Sequence, residues 1–263
     1  MEDAIRSESR DGYRVITINR PDKMNALNKP ACQALTAALE AAEADETCRA
    51  LLLTGTGRSF CAGADLSGRV NGERPKGDAG SSLEETWNPI ARKLSNLRMP
   101  SVAAVNGVAA GAGSSVALGC DIVLAGKSAY FLQAFSKIGL IPDCGGTFLL
   151  PRMVGEGRAR ALAMLAERVP AEQAEQWGMI YRAVDDAALM DEAHAMAARL
   201  AGMAGHALVL IRKALRASAV NDFNAQLDME RDLQGEASRT SDHREGVAAF
   251  LEKRVPKFTG KSM

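Results

Sequence analysis

Runs of apolar residues at strand and helix spacing predict the first half of the fold. Residues 13–19 (YRVITIN) alternate apolar and polar side chains, as in a half-buried strand. Asn28 can then cap a helix that has Pro30 in its first turn and an apolar stripe along one side. Further along, three short and largely apolar runs predict buried strands at residues 50–54, 101–105 and 122–125.

The second half of the chain changes from strand spacing to helical spacing. Helical periodicity with charged outer faces runs through residues 189–200, 207–219, 223–233 and 244–254. Strands that alternate with helices indicate an α/β protein. We therefore expect an α/β core at residues 1–190 and a helical C-terminal region at residues 191–263, with no linker between them.

Two stretches depart from this pattern. Residues 69–82 (RVNGERPKGDAGSS) bury few side chains, so they are predicted to form a surface loop. Residues 99–120 are uncharged and long enough to cross a membrane, but they contain four glycines, Pro100 and Asn106. A buried strand, turn and helix explains this composition better than a membrane span.

Composition narrows the partners and the compartment. The 263 residues contain 32 Lys and Arg and 32 Asp and Glu, a balance that favours neither nucleic acid nor a membrane as partner. Five scattered cysteines form no CxxC pair, which argues for free thiols and against zinc or a disulfide framework. The first fourteen residues lack the apolar core of a signal peptide, so a cytoplasmic location is expected.

Candidate chemistry concentrates between residues 101 and 150, where Asp121 and Asp143 are the only carboxylates and no histidine occurs. Asp143 lies in IPDCGGT (141–147), and a carboxylate in apolar surroundings suits proton transfer. The residue types of this segment also favour a tight turn, so the residues alone leave both a catalytic and a structural role open for Asp143. For Asp65 and Asp121, a capping or turn role is the simpler interpretation.

Three glycine-rich segments could bring backbone N–H groups close to a ligand: residues 59–66, 106–115 and 142–147. The second lacks the third glycine of a dinucleotide fingerprint, and no segment has the Gly-Lys-Ser/Thr ending of a phosphate loop. Two interpretations remain. Residues 62–64 and 111–113 could form an oxyanion hole, or their small side chains could simply allow close packing.

Other nucleophiles and bases have weaker support. No Gly-x-Ser-x-Gly elbow surrounds Ser114 or Ser115. All three histidines (194, 206 and 243) lie in the predicted helical C-terminal region, where surface or packing roles are expected. Cys61 and Cys144 have no base nearby in sequence and are expected to be buried, unreactive thiols.

Five motifs, in order and spacing, resemble the crotonase (enoyl-CoA hydratase/isomerase) superfamily over essentially the whole chain. They are NRP with NAL in 19–27, FCAGAD at 60–65, NGVAAGAG at 106–113, CDI at 120–122 and REGVAAF at 244–250. The resemblance implies a spiral of ββα units with a helical C-terminal region that serves trimerisation and completes a CoA pocket. It further implies an acyl-CoA thioester substrate and a homotrimer or dimer of trimers.

Matched residue by residue, the resemblance places the two backbone donors of an oxyanion hole at Ala64 and Ala112. The CoA contacts that it implies are Lys23, Ala62, Asp65 and Lys253. For each lysine, a solvated surface position is the alternative. The resemblance implies no metal and no redox cofactor, since CoA is part of the substrate.

The catalytic positions depart from the hydratase pattern. The two glutamates that hydratases of the superfamily use to hold water fall at Ser115 and Phe135, so ordinary hydration is not expected. An aspartate at Asp143 is similar to that of isomerase-type members and some dehalogenases. Residues 134–147, 176–180 and 257–261 resemble isomerases that convert ring-1,2-epoxyphenylacetyl-CoA to an oxepin-CoA or shift the double bond of 3-enoyl-CoAs.

The expected function is therefore an acyl-CoA isomerase of phenylacetate or aromatic degradation with Asp143 as its catalytic residue. Two alternatives stay open. One is a hydratase or a hydrolase/dehalogenase-type enzyme in which Asp143 activates water or attacks directly, and the other is a non-catalytic acyl-CoA binder. Residues 69–88 are expected to line or cover the acyl pocket.

Overall fold

Two β-sheets and ten α-helices make up the computed structural model, which describes residues 3–67 and 79–260. The strands are β1 (Ile5–Arg10), β2 (Tyr13–Ile18), β3 (Ala50–Gly55), β4 (Ser59–Cys61), β5 (Ser101–Val105), β6 (Val108–Ala110), β7 (Ile122–Gly126), β8 (Tyr130–Leu132), β9 (Arg168–Pro170) and β10 (Arg182–Val184). The helices are α1 (Lys29–Ala44), α2 (Ala79–Glu85), α3 (Trp87–Asn96), α4 (Ala112–Leu118), α5 (Gly146–Leu165), α6 (Ala171–Gln176), α7 (Leu189–Ala201), α8 (Gly205–Ala217), α9 (Phe223–Ser238) and α10 (Ser241–Glu252).

The larger sheet has the strand order β1-β2-β3-β5-β7-β10. Its strands are parallel except for β1, which pairs antiparallel with β2 at the edge. The four strands predicted from apolar runs are confirmed as β2, β3, β5 and β7. Strand β1 was not predicted because its sequence, IRSESR, holds a single apolar residue.

The smaller sheet has the order β4-β6-β8-β9, and each of its strands is three residues long. Its first three strands each follow a strand of the larger sheet, so that β5, β6 and α4 form one ββα unit. The strand pairs β3–β4 and β7–β8 repeat this arrangement, in which one strand of each sheet is followed by a helix. This arrangement confirms the expected α/β spiral of ββα units.

Alternate residues of the buried strands pack into different cores. Leu51 and Leu53 face the main core with α1 and α3, whereas Leu52 faces a second cluster against α7. Two-sided burial explains why the central strands read as continuous apolar runs. Because α7 begins at Leu189 and packs on this sheet, the predicted boundary after residue 190 falls inside a helix attached to the core.

The C-terminal helices agree with the helical periodicity, with ends shifted by a few residues. A buried arginine attaches α8 to the core: Arg212 Nε lies 2.7 Å from Asp121 Oδ1, and Arg212 also donates to the carbonyls of Leu97 and Met99. The other carboxylate oxygen of Asp121 accepts from Ser101 N at 2.8 Å. These contacts confirm a structural role for Asp121.

Helix α5 was not predicted. Pro151 lies inside it, and Gly155 has non-helical dihedrals (φ 75°, ψ 160°), so two helical segments meet there at a kink. The interruptions remove the continuous periodicity by which a helix is recognised.

Two predictions concern the remaining stretches. Of the predicted loop 69–82, residues 69–78 lie outside the described residues, and the loop prediction is wrong for 79–82, which begin α2. Leu83 packs this helix against the main core, a contact that loop composition does not reveal. Residues 99–120 form β5, β6 and α4, as expected.

Among the described residues, no single helix is long and apolar enough to cross a membrane, and the one helix pair that reaches this length together is bent by 102°.

Candidate active site

The turn before α1 supports one wall of the site. Met24 and Asn25 both adopt left-handed backbone conformations (φ 51° and 58°). The fully buried Asn25 side chain accepts from Arg20 N at 2.8 Å and donates to the carbonyls of Thr56 and Ser59. This explains the NRP and NAL residues in structural terms: they fix the chain that runs beside residues 62–65.

Residues 62–65 pair with this turn in a way that frees one amide. Leu27 N donates to Gly63 O at 2.8 Å, and Asp65 N donates to Leu27 O at 2.9 Å, around a parallel bridge between Leu27 and Ala64. Since successive amides of extended chain point in opposite directions, the N–H of Ala64 points away from Leu27. It has no hydrogen-bond partner among the described residues.

A second free amide begins α4. Gly111 precedes the helix with φ 54°, so the N–H of Ala112 is one of the first-turn donors that a helix leaves without an internal partner. Gly63 (φ 90°) packs closely against the backbone of residues 110–112. A Cβ at Gly63 would lie 2.8 Å from Ala110 O and 3.5 Å from Ala112 N. Glycine at position 63 is thus required by both its φ and this close approach.

Ala64 and Ala112, the residues with these free amides, both line one mostly apolar cavity of about 160 Å³. The described residues that line it are Ala62, Gly63, Ala64, Leu66, Ser82, Leu83, Trp87, Gly111, Ala112, Ala134, Phe135, Ile138, Leu140 and Asp143. Asp143 is the single carboxylate of this lining. The structure therefore brings together Ala62, Ala64, Ala112 and Asp143, which the sequence had placed in separate segments.

Asp143 sits at the start of a tight turn that aims its side chain into the cavity. Cys144 and Gly145 are left-handed (φ 51° and 83°), and Gly146 N donates to Asp143 O at 2.9 Å. Its Oδ1 is buried without a hydrogen-bond partner among the described residues. Burial raises the pKa of this carboxyl to about 6, so Asp143 can take up and release a proton near neutral pH.

Phe135 occupies the wall beside Gly111. It is 6% exposed, and a Cβ on Gly111 would lie 3.8 Å from its ring carbon Cζ. Ser115 is buried one helical turn into α4 and does not line the cavity. Neither position offers a carboxylate to a water molecule in this part of the site.

The side chain of Asp65 braces the site and is not free to bind a ligand. Its Oδ2 accepts from Arg20 at 2.9 Å, and its Oδ1 accepts from Ser67 N and Oγ. The hydrogen bonds from Ser67, with Arg20 adding to them, hold the pKa of Asp65 below its usual value. The predicted contact of Asp65 with CoA would therefore come from the backbone of Asp65.

The two lysines proposed for CoA lie in different places. Lys23 is exposed in the turn next to Met24, whose carbonyl accepts from Ala62 N at 3.1 Å. Lys253 is exposed at the left-handed end of α10 (φ 54°), outside the residues that line the cavity. Proximity supports Lys23, and the role of Lys253 stays a prediction.

Several lining residues were not predicted individually, although residues 69–88 were expected to line or cover the pocket. Leu83 and Trp87 of α2 and α3 fall in that stretch, while Ile138 and Leu140 come from the turn before Asp143. The spacing of Trp87, Ile90 and Leu94 marks the buried face of α3, and this was the available signal for Trp87. Nothing in the local sequence shows that this face reaches Asp143.

The histidines have partners away from the cavity. His194 Nδ1 lies 2.9 Å from Tyr13 Oη, and His206 Nε2 lies 2.9 Å from Glu236 Oε1. No histidine lines the cavity among the described residues. Packing and surface roles are thus confirmed for these two side chains.

All five cysteines are free, as expected, and all five are buried, which was predicted only for Cys61 and Cys144. Burial raises the pKa of Cys32, Cys61 and Cys120 to about 12 and holds that of Cys144 well above its usual value, so their thiolates are scarce at neutral pH. We expect no reaction with a thiol-specific disulfide reagent at pH 7.5 in the native protein and five reactive thiols in denaturant. Rapid labelling of the native protein would contradict this.

Comparisons with known proteins identify the family of this chain. The sequence model described as "Enoyl-CoA hydratase/isomerase" matches residues 8–261. The 1,2-epoxyphenylacetyl-CoA isomerase of Escherichia coli is 50% identical over 99% of this chain and 100% of its own length. A "probable enoyl-CoA hydratase" of Rhodobacter capsulatus is 46% identical over 98% of each.

A solved structure extends the similarity to three dimensions. The crystal structure of an enoyl-CoA hydratase from Polaromonas sp. JS666 superimposes with a TM-score of 0.89 at 34% identity, covering 97% of this chain and 100% of the other. The resemblance seen in the sequence motifs is confirmed. The chain belongs to the enoyl-CoA hydratase/isomerase (crotonase) family.

Proposed function

We propose that this protein is an acyl-CoA isomerase in which Asp143 moves a proton while the amides of Ala64 and Ala112 hold the thioester oxygen. One observation carries the proposal: a single carboxylate, raised in pKa, shares an apolar cavity with two backbone N–H groups that have no other partner in the described part of the chain. Polarisation of a carbonyl by two such donors makes the neighbouring C–H acidic.

The double-bond shift shows how these groups would act. The thioester oxygen of a 3-enoyl-CoA accepts hydrogen bonds from both amides, and Asp143 removes a proton from C2. The C2–H electron pair enters a dienolate whose negative oxygen lies in the hole. Asp143 then returns the proton to C4, which leaves a 2-enoyl-CoA and a restored carboxylate. One carboxylate suffices because no atom enters or leaves the substrate.

The substrate class rests on the relatives and on the walls of the cavity. We propose ring-1,2-epoxyphenylacetyl-CoA, isomerised to an oxepin-CoA, as well as 3-enoyl-CoAs, because the Escherichia coli relative named for the epoxide is 50% identical. Trp87 and Phe135 offer aromatic surface to a ring, and Leu83 and Leu140 offer apolar surface to a chain.

The proposal extends to CoA and to assembly. Backbone groups of residues 62–65 would hold CoA, with Lys23 and Lys253 near its phosphates. No metal or redox cofactor takes part. We propose a homotrimer or a dimer of trimers in the cytoplasm, in which the C-terminal helices complete the CoA pocket.

A substrate comparison in heavy-oxygen water tests the reaction class. The ring epoxide, a 3-enoyl-CoA and a 2-enoyl-CoA are incubated in H₂¹⁸O, and the products are analysed by mass spectrometry. Isomerisation of the first two without ¹⁸O incorporation supports the proposal. A 3-hydroxyacyl-CoA that carries ¹⁸O, formed faster than either isomer, would make hydration the function, in line with the Rhodobacter capsulatus relative.

The pH dependence follows from the protonation state of Asp143. A base must be ionised, and burial raises the pKa of this carboxyl to about 6. We expect kcat/KM for the double-bond shift to rise tenfold per pH unit below pH 6 and to level off above it. A profile that is flat between pH 4.5 and 7 would show that Asp143 is not the base of the free enzyme.

A further inference from the structure

The segment that carries the Ala64 amide is held by a very short backbone pairing. Leu27 and Ala64 form an isolated parallel bridge, which lies outside the strands of both sheets. Its two hydrogen bonds run from Leu27 N to Gly63 O and from Asp65 N to Leu27 O. Such a bridge lacks the succession of ladder bonds that holds a longer strand in register. The direction of the Ala64 N–H therefore depends on the other contacts that join these two segments.

Arg20 makes such a contact with both segments at once. Its Nη2 donates to Asp65 Oδ2 at 2.9 Å, and its Nη1 donates to the carbonyl oxygen of Ala26. Ala26 is the residue before the bridge on one segment, and Asp65 is the residue after it on the other, so one guanidinium spans the bridge. The side chains of Arg20 and Asp65 are 17% and 9% exposed, which limits the screening of their attraction by solvent.

Both partners of this ion pair are also held from behind. The backbone N–H of Arg20 donates to the buried Asn25 side chain at 2.8 Å. The other carboxylate oxygen of Asp65 accepts from Ser67 N at 3.1 Å and from Ser67 Oγ at 2.6 Å. A guanidinium donates along fixed directions, so an ion pair between two anchored groups fixes the relative position of the chains that carry them.

We propose that Arg20 and Asp65 are positioning residues for the oxyanion hole, an inference that rests on the proposed function. Neither side chain lines the cavity, so both act through the backbone of Ala64. The forked contact of Arg20 holds the two segments in register and keeps the Ala64 N–H directed at the thioester oxygen. Hydrogen bonds weaken steeply as the donor loses alignment, and this bond matters most when negative charge develops on the oxygen.

A second ion pair of the same construction provides a matched control. Arg14 Nη2 donates to Asp45 Oδ2 at 2.7 Å, and Asp45 Oδ1 accepts from the N–H and hydroxyl of Thr47. The side chain of Arg14 is 16% exposed and that of Asp45 is 27% exposed, somewhat more than Asp65. None of the three control residues lines the cavity. Weakening this pair tests the loss of a comparable ion pair away from the Ala64 amide.

The test measures how strongly a bound carbonyl is polarised. The full-length protein binds phenylacetyl-CoA labelled with ¹³C at the thioester carbonyl, which has neither an epoxide nor a double bond to move. Hydrogen bonds to the carbonyl oxygen polarise the C=O bond and move the carbon resonance downfield of its position in free phenylacetyl-CoA. We expect Arg20→Lys, which keeps the charge but loses the fork, and Asp65→Asn to reduce this displacement. Arg14→Lys and Asp45→Asn should retain it in full.

Turnover and folding supply two further readouts. In Arg20→Lys and Asp65→Asn, kcat for a 3-enoyl-CoA should fall by about 10–100-fold, more than KM rises. The double variant should lose no more than the worse single variant, because both changes break one link. Asp65→Asn is nearly isosteric and keeps an oxygen for Ser67, so this variant is expected to fold, as circular dichroism will show.

The outcomes separate this inference from the proposed function. A parental displacement in both Arg20→Lys and Asp65→Asn overturns the positioning role, and so does an equal loss in the Arg14 and Asp45 controls. If the parent protein itself shows no displacement, there is no oxyanion hole at Ala64, and both proposals fail. If the displacement falls only in the Arg20 and Asp65 variants while the parent protein hydrates its substrates and does not isomerise them, the positioning role stands and the proposed function fails.

Discussion

Asp143→Asn is expected to lower turnover of a 3-enoyl-CoA by about 10²–10⁴-fold, the usual contribution of a general acid–base group. The amide has nearly the same shape, so the cavity and its two backbone donors stay in place. Binding of a non-reactive acyl-CoA, measured by calorimetry, should change little. An exposed carboxylate elsewhere provides the control: Asp185→Asn should retain parental turnover.

The same substitution should make the protein more stable at neutral pH. Burial raises the pKa of Asp143 from 3.8 to about 6, so ionisation costs the folded protein stability as pH rises through this interval. Asparagine does not ionise, and with the partial exposure of the carboxyl considered we expect a gain of about 1–2 kcal/mol at pH 7. The difference should vanish near pH 3, where the carboxyl is protonated in both the folded and the unfolded protein. Unfolding at both pH values checks the sign, and a less stable variant at pH 7 would contradict the burial of this charge.

Ala112→Pro is the second change with a large expected effect. Proline has no N–H, and Ala112 is the first residue of α4, the helical position that tolerates proline best. Loss of one oxyanion donor should lower kcat by about 10²–10³-fold while the helix still forms. Circular dichroism and thermal unfolding establish that the fold is kept.

Ala112→Gly is the matched control for this change. It keeps the backbone N–H at the same position and adds no atoms to the cavity, so its kcat should stay much closer to the parent value. Equal losses in the proline and glycine variants would show that the methyl group of Ala112 matters and that its amide does not.

The sequence was a good guide to buried elements and a poor guide to polar or short ones. Strand β3 is buried on both faces, and its run of leucines predicts it correctly. Strand β1 is stabilised by pairing with β2 although five of its six residues are polar, so no periodicity reveals it. The three-residue strands of the smaller sheet are too short for any pattern.

The residues of the candidate site also differ in how well the sequence predicted them. The glycine-rich segments around Ala64 and Ala112 and the turn of Asp143 could be found, because tight turns need particular residues. Residues 69–88 were expected at the pocket, and Leu83 and Trp87 of that stretch line it, but which side chains reach the cavity could not be told before the core has packed.

Transfer of an isotope from C2 to C4 tests the central claim most directly. A 3-enoyl-CoA with deuterium at C2 is converted in ordinary water under single-turnover conditions, and the product is examined by NMR. If Asp143 carries the proton between the two carbons, part of the deuterium should appear at C4, and Asp143→Asn should abolish the transfer and slow turnover by about 10²–10⁴-fold. Rapid turnover by Asp143→Asn, with C4 protonated entirely from solvent, would contradict the account.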